Sequence, residues 1–248
     1  MEETKNFKKE FEEGIKKDNL FSIVYYGAST TSMEYCFPNW GEIIRYWLGD
    51  YIYENIGKYH WNLQTINRGL NGATSGELLE RFPQMIEDVS PSLIFLNISK
   101  NDYYFKIPKK ESEENTRKII ERSLRNGYKV VFTTFVPALT KNLNEKIKPY
   151  VDLDRKVAQE FVNNKDFMFI DFYNFFSEDD LKRSYTLISE GGNKVVGIAP
   201  GEVDPIHFNK YGNALVAKIL LKEVFAIDFD HEKFIRDLAD NSKKYPGF

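Results

Sequence analysis

Short apolar, β-prone runs alternate along this chain with segments of helical periodicity, and that alternation leaves few architectures open. The runs fall at residues 21–26, 62–66, 92–97, 128–132 and 167–170. Helical spacing marks residues 40–53, where Ile43, Ile44, Trp47, Leu48 and Tyr51 share a side, and also 77–87, 113–126, 150–163 and 209–226. Gly127 stops the third of these, as glycine does at helix ends. Strands that alternate with helices require right-handed crossovers, hence a mainly parallel sheet covered by helices on both faces. Short apolar strands suit a sheet buried on both sides. The reading is one α/β domain over 1–248, with its core at about 21–226. Charged helical extensions flank it, one presenting Phe7, Phe11 and Ile15 at four-residue spacing and one at 231–243. One stretch breaks the alternation. Residues 184–199 read as a β-hairpin turning at Gly191-Gly192-Asn193.

Charge and composition exclude several classes. Net charge is −3, with acidic and basic residues interspersed, so no basic face for nucleic acid is expected. No apolar run approaches the roughly 18 residues of a membrane span. The charged N-terminus does not read as a secretory signal, which makes the expected location cytoplasmic. The lone cysteine, Cys36, forms no internal disulfide and is expected to be a buried small apolar residue. No metal and no organic cofactor are expected.

In an open α/β sheet, ligands bind beyond the carboxyl ends of the strands, so chemistry is sought in the loops there. Gly27-Ala28-Ser29-Thr30-Thr31-Ser32 exposes a hydroxyl after the first strand, and no Gly-Lys-Ser/Thr follows to make it a phosphate loop. Asn67 to Ser75 carries Gly69 and Gly72, where backbone can approach a ligand. Arg68, in the same segment, is open to pairing with an acidic group or touching substrate. Asn97 to Asp102 offers the amide of Asn101 as a neutral donor to a developing negative charge.

A base must come from three histidines. His60 precedes the second strand and so lies at its wrong end, and His231 sits in the charged tail. His207 has Asp204 three residues earlier and a helix start just after it. One turn can bring that carboxylate to the imidazole, leaving the other ring nitrogen for a serine hydroxyl. Asp204 and His207 are also metal-ligand types, but no second His/Cys cluster completes a site.

The order of these blocks resembles the SGNH hydrolases, or GDSL esterases and lipases, from about residue 21 to 221. The family's Gly-Asp-Ser block appears as Gly27-Ala28-Ser29. Its Asn-x-Gly-x-x-Gly-x-Thr block appears as Asn67 to Thr74, its Gly-x-Asn-Asp block as Ser99-Lys100-Asn101-Asp102, and its Asp-x-x-His block as Asp204 to His207. Ala28 and Ser99 depart from the pattern.

The resemblance implies a flavodoxin-like three-layer αβα sandwich with strand order 2-1-3-4-5. It implies Ser29 as nucleophile, His207 as base and Asp204 as its orienting partner. The N–H groups of Ser29 and Gly72 and the Asn101 amide would form the oxyanion hole. His207 is expected to titrate near or somewhat above about 6.5. The expected substrate is a small acyl ester, with an acetylated carbohydrate preferred, and Tyr103, Tyr104 and the 184–199 hairpin are the expected cleft walls. The alternatives are an acyltransferase using the same triad, a non-catalytic carbohydrate-binding relative, and a flavodoxin-like nucleotide binder.

Overall fold

The computed structural model describes residues 5–240 and Ser242. Five strands form an all-parallel sheet in the order β2-β1-β3-β4-β5. They are β1 (Phe21–Gly27), β2 (Leu63–Gly69), β3 (Leu93–Asn97), β4 (Lys129–Thr133) and β5 (Phe167–Ile170). The expected α/β class and strand order hold. β1 leads outward first to β2 and the chain then returns to lay β3 on its other side. Ligand sites of such sheets form at this reversal.

Successive side chains of a strand point to opposite faces. Ile23 and Tyr25 of β1 therefore join Leu93 and Phe95 in one core, and Val24 and Tyr26 join Ile94 and Leu96 in the other. Helices α2 (Trp40–Tyr51) and α8 (Lys210–Phe225) cover the first core. Helices α3 (Ser75–Phe82), α5 (Lys109–Arg125) and α6 (Lys141–Gln159) cover the second. A fully buried Leu, Ile or Phe side chain contributes roughly 1.5–3 kcal/mol, so these two layers dominate stability.

The terminal segments are integral to the packing. Helix α1 (Lys8–Lys16) buries Phe7, Phe11 and Ile15 in the first core. Helix α9 (His231–Ala239) buries Phe234 beside Phe229. Residues 1–4, 241 and 243–248 lie outside the described residues.

Several local expectations need correcting. β2 continues to Gly69 because it pairs with β1 along its whole length, so Asn67 and Arg68 belong to the strand end. Helix α6 begins at Lys141, capped by Thr140, and runs through Pro149. The proline sits in the middle of the helix, where burial of Ile147, Tyr150 and Val151 holds the helix together across it. Two short helices follow strand ends, α4 (Lys100–Tyr104) and α7 (Glu178–Ser184).

The 184–199 segment is not a hairpin of two strands. It is a loop closed by an isolated bridge between Ile188 and Val203, with a tight turn between Asn193 and Ile198 inside it. Asn193 fixes that turn. Its side-chain oxygen accepts from the N–H groups of Val195 and Val196, and Gly197 takes the positive φ. The turn therefore forms beyond the Gly191-Gly192 pair. No helix among the described residues is long and apolar enough to cross a membrane.

Candidate active site

The strand register places three loops at one level. Gly27 pairs with Gly69 on one side and Asn97 on the other, so the chain leaves β1, β2 and β3 together. Close packing at this level demands glycine. A Cβ at Gly27 would lie 2.5 Å from the Asn97 carbonyl oxygen, and one at Gly69 would run into the backbone of Ser32.

Asparagines secure the turn after β1. Asn67 donates to the Thr31 carbonyl at 2.7 Å, and Asn39 donates to the carbonyls of Thr31 and Ser32 at 2.8 and 3.0 Å. Asn39 is also the N-cap of α2, in a capping box with Glu42, so one residue ties the loop to the helix start.

Ser29 Oγ lies 2.9 Å from Nε2 of His207. Nδ1 of the same ring lies 2.7 Å from Asp204 Oδ2. The other oxygen of Asp204 accepts from the backbone N–H groups of Ile206 and His207 at 2.9 and 3.1 Å. The one-turn spacing from Asp204 to His207 thus does what the sequence reading asks of it. Ser29, Asp204 and His207 are all buried, His207 most deeply at 2% exposed. A hydroxyl, imidazole and carboxylate in this chain can pass a proton off the hydroxyl as it attacks a carbonyl carbon.

Burial sets the electrostatics. It drives the His207 pKa below 6.5, outweighing the neighbouring Asp204 carboxylate, and the Lys100 charge pushes the same way. The expectation of a value near or above 6.5 is corrected accordingly. It allowed for the carboxylate and not for the loss of water. Burial pushes the Asp204 carboxyl up, but the hydrogen bonds from His207 and the backbone hold it below the usual range.

Asn101 and Asp102 lock the loop after β2 in place. Asn101 Nδ2 donates to the Ala73 carbonyl at 2.9 Å, which leaves the second hydrogen of that amide unused. Asp102 accepts from the Ser75 N–H at 2.8 Å, at the start of α3. Between these points Gly72 adopts φ +73°, a left-handed conformation suited to glycine. The N–H groups of Ser29 and Gly72 make no hydrogen bond among the described residues.

The departures at Ala28 and Ser99 are accommodated internally. Ala28 is buried, and its carbonyl accepts from the N–H groups of Thr31 and Ser32. Ser99 Oγ donates to Asp154 Oδ2 at 2.7 Å. That carboxyl is fully buried on α6, and desolvation raises its pKa well above the ordinary value.

The remaining expectations separate. Tyr103 and Tyr104 are half-buried and pack edge to face, with Tyr103 also against Tyr150. Burial raises the Tyr104 pKa, and its hydroxyl has no hydrogen-bond partner among the described residues. Arg68 Nε is likewise buried without a hydrogen-bond partner among the described residues. His60 is exposed before β2, and His231 is buried against Tyr211. Cys36 is half-buried, and not a core residue as expected. It lines a recess of about 10 Å³ together with Ser29, Tyr35 and His207, because the loop after β1 folds back over the site.

Two site residues were missed in the sequence. Lys100 is 2% exposed and donates to the Ile206 carbonyl at 3.1 Å, bridging the α4 start to the Asp204–His207 turn. Desolvation lowers its pKa to about 8. Its place inside the Ser99-Lys100-Asn101-Asp102 block was the available signal. Tyr35 lies on His207, and nothing in its local sequence points there.

Comparison with known proteins follows the same lines. Residues 22–215 match the GDSL-like lipase/acylhydrolase family. Among solved structures, the fold is similar to that of an acetyl xylan esterase, AlAXEase (17% identity, 82% of this chain and 100% of that one, TM-score 0.61). It is similar also to a lipase/acylhydrolase of Enterococcus faecalis (17% identity, 83% and 96%, TM-score 0.59). A third similar structure is a catalytic mutant of an acetylxylan esterase of Geobacillus stearothermophilus (17% identity, 85% and 95%, TM-score 0.58). No functionally curated protein matches the chain significantly. With its matched region spanning most of its length, this chain belongs to the GDSL-like lipase/acylhydrolase family.

Proposed function

We propose that this protein is a serine esterase that cleaves small acyl esters through an acyl-Ser29 intermediate. The observation that carries the reading is the continuous hydrogen-bond path from Ser29 through His207 to Asp204. In the proposed first step, His207 Nε2 takes the Ser29 proton as Oγ bonds to the ester carbonyl carbon. The carbonyl oxygen becomes an oxyanion, held by the N–H groups of Ser29 and Gly72 and by the Asn101 amide. Asp204 stabilises the imidazolium. The bond to the leaving oxygen then breaks, and His207 hands its proton to the departing alcohol. Water repeats the sequence and releases the acid, with His207 again as base.

A short acyl group on a carbohydrate is the substrate class we favour. The recess beside Ser29, about 10 Å³, has room for about one water-sized group and suits an acetyl methyl. Similarity to acetyl xylan esterases supports the same class. The test is kcat/KM on p-nitrophenyl esters from acetyl to decanoyl and on acetylated xylo-oligosaccharides. The reading expects a steady fall with chain length and acetate release from the oligosaccharide. A preference for decanoyl, or no release of acetate, would overturn the substrate class.

The pH dependence follows from burial of His207. Only the neutral imidazole can accept the Ser29 proton, so activity rises with pH as His207 deprotonates. Its lowered pKa puts the midpoint of kcat/KM, which reports the free enzyme, below pH 6.5. A midpoint at pH 7 or above would contradict this.

A further inference from the structure

The Tyr35 ring lies flat on the His207 imidazole, with centroids 3.6 Å apart and planes 5° from parallel. Tyr35 is 41% exposed and His207 2% exposed, so an open ring covers a buried one. Its segment is held on one side. Ser32 Oγ donates to Asn71 Oδ1 at 2.7 Å, and the Asn71 amide donates to Glu34. On the far side, Cys36 lines the recess beside Ser29 together with Asn213 of α8. Glu34, next to Tyr35, is therefore tethered to the loop after β2, and Cys36 faces α8.

We infer that Tyr35 is a positioning residue for His207, holding the imidazole plane towards Ser29, most of all while Ser29 carries an acyl group. The inference rests on the esterase reading. In the resting site the ring has an in-plane hydrogen bond at each nitrogen, to Asp204 and to Ser29. Acylation removes the Ser29 hydroxyl and with it one of these restraints. Asp204 then holds the ring at a single edge, about which it can tilt. A stacked neighbour opposes that tilt, because tilting breaks face-to-face contact over the whole ring. The same aromatic face favours the imidazolium formed in each half of the reaction, through attraction between a cation and the ring quadrupole. Stacking leaves the in-plane Nε2 open to the incoming water.

The stacking and its consequence are tested separately on the full chain. Carbon-bound ring protons of His207, read by NMR with His60 and His231 as internal references, are expected upfield in the wild type and in Tyr35→Phe. They should move downfield in Tyr35→Ala. Unshifted protons in the wild type would overturn the stacking. In turnover of p-nitrophenyl acetate, Tyr35→Ala is expected to lower kcat about tenfold, since small misplacements of catalytic groups carry losses of this order or more. kcat/KM should fall less, and a burst of p-nitrophenol should mark accumulating acyl-enzyme. Tyr35→Phe should restore wild-type kinetics. Equal losses in kcat and kcat/KM without a burst, or unchanged kcat, would overturn the positioning role. A wild type inactive on every ester would sink the esterase reading instead, and the NMR result would still decide whether Tyr35 holds the ring.

Discussion

Ser29→Ala is expected to lower kcat on acetyl esters by a factor on the order of a million, the scale found when a serine nucleophile of this kind is removed. The loss is large because no other group can take the acyl chain. Among the described residues, Ser29 alone presents a hydroxyl to His207 Nε2, and water attacking directly would lack the covalent intermediate that divides the reaction into two easier steps. Residual catalysis of roughly a thousandfold over water can persist from the oxyanion donors and substrate binding. Stability should barely change. Ser29 Oγ contributes only the His207 contact, while the turn is held by Asn39 and Asn67 through backbone carbonyls. The measurement is kcat beside a thermal melt. Activity within tenfold of wild type, with the fold intact, would remove Ser29 from the mechanism.

Asp204→Asn should cost about 10⁴-fold in kcat, with the fold preserved. The size of the effect comes from the tautomer. In the proposed mechanism, Asp204 Oδ2 accepts the proton on His207 Nδ1 and leaves Nε2 bare to receive the Ser29 proton, along the contacts seen at both ring nitrogens. An asparagine in this place keeps an oxygen on the Ile206 and His207 N–H groups, which hold the side chain in its present orientation. That choice turns the amide NH₂ towards Nδ1. The ring then shifts its proton to Nε2, where it faces the serine as a donor and cannot act as a base. Geometry survives while function is lost, so this variant separates orientation from chemistry more sharply than deletion does. A loss under tenfold would mean that Asp204 does not set the protonation of His207.

How far the sequence carries depends on what kind of interaction fixes each feature. The sheet was legible because two buried faces impose apolar strands such as residues 21–26 and 92–97 at regular intervals. The contact of Asp204 with His207 was legible because a one-turn spacing is local. The 184–199 loop was misread because Gly191-Gly192 looks like a turn by composition, whereas Asn193 places the turn later through its own side-chain hydrogen bonds. Helix α6 extends nine residues ahead of the 150–163 expected from periodicity, because tertiary burial of Ile147 and Val151 carries it through Pro149. Tyr35 over His207 joins positions far apart in the chain, and no periodicity or spacing encodes it. The lowered His207 pKa was missed for a related reason, since desolvation depends on every element that closes over the ring.

The central claim is that Ser29 is made nucleophilic by His207, and a fluorophosphonate probe reads this directly. The probe reacts with an activated serine hydroxyl whatever the natural ester, and peptide mapping locates the adduct. The account predicts one adduct, on Ser29, formed in the wild type and lost in His207→Ala. An adduct on another residue, or ester turnover in protein that carries no adduct at Ser29 after full exposure, would contradict it.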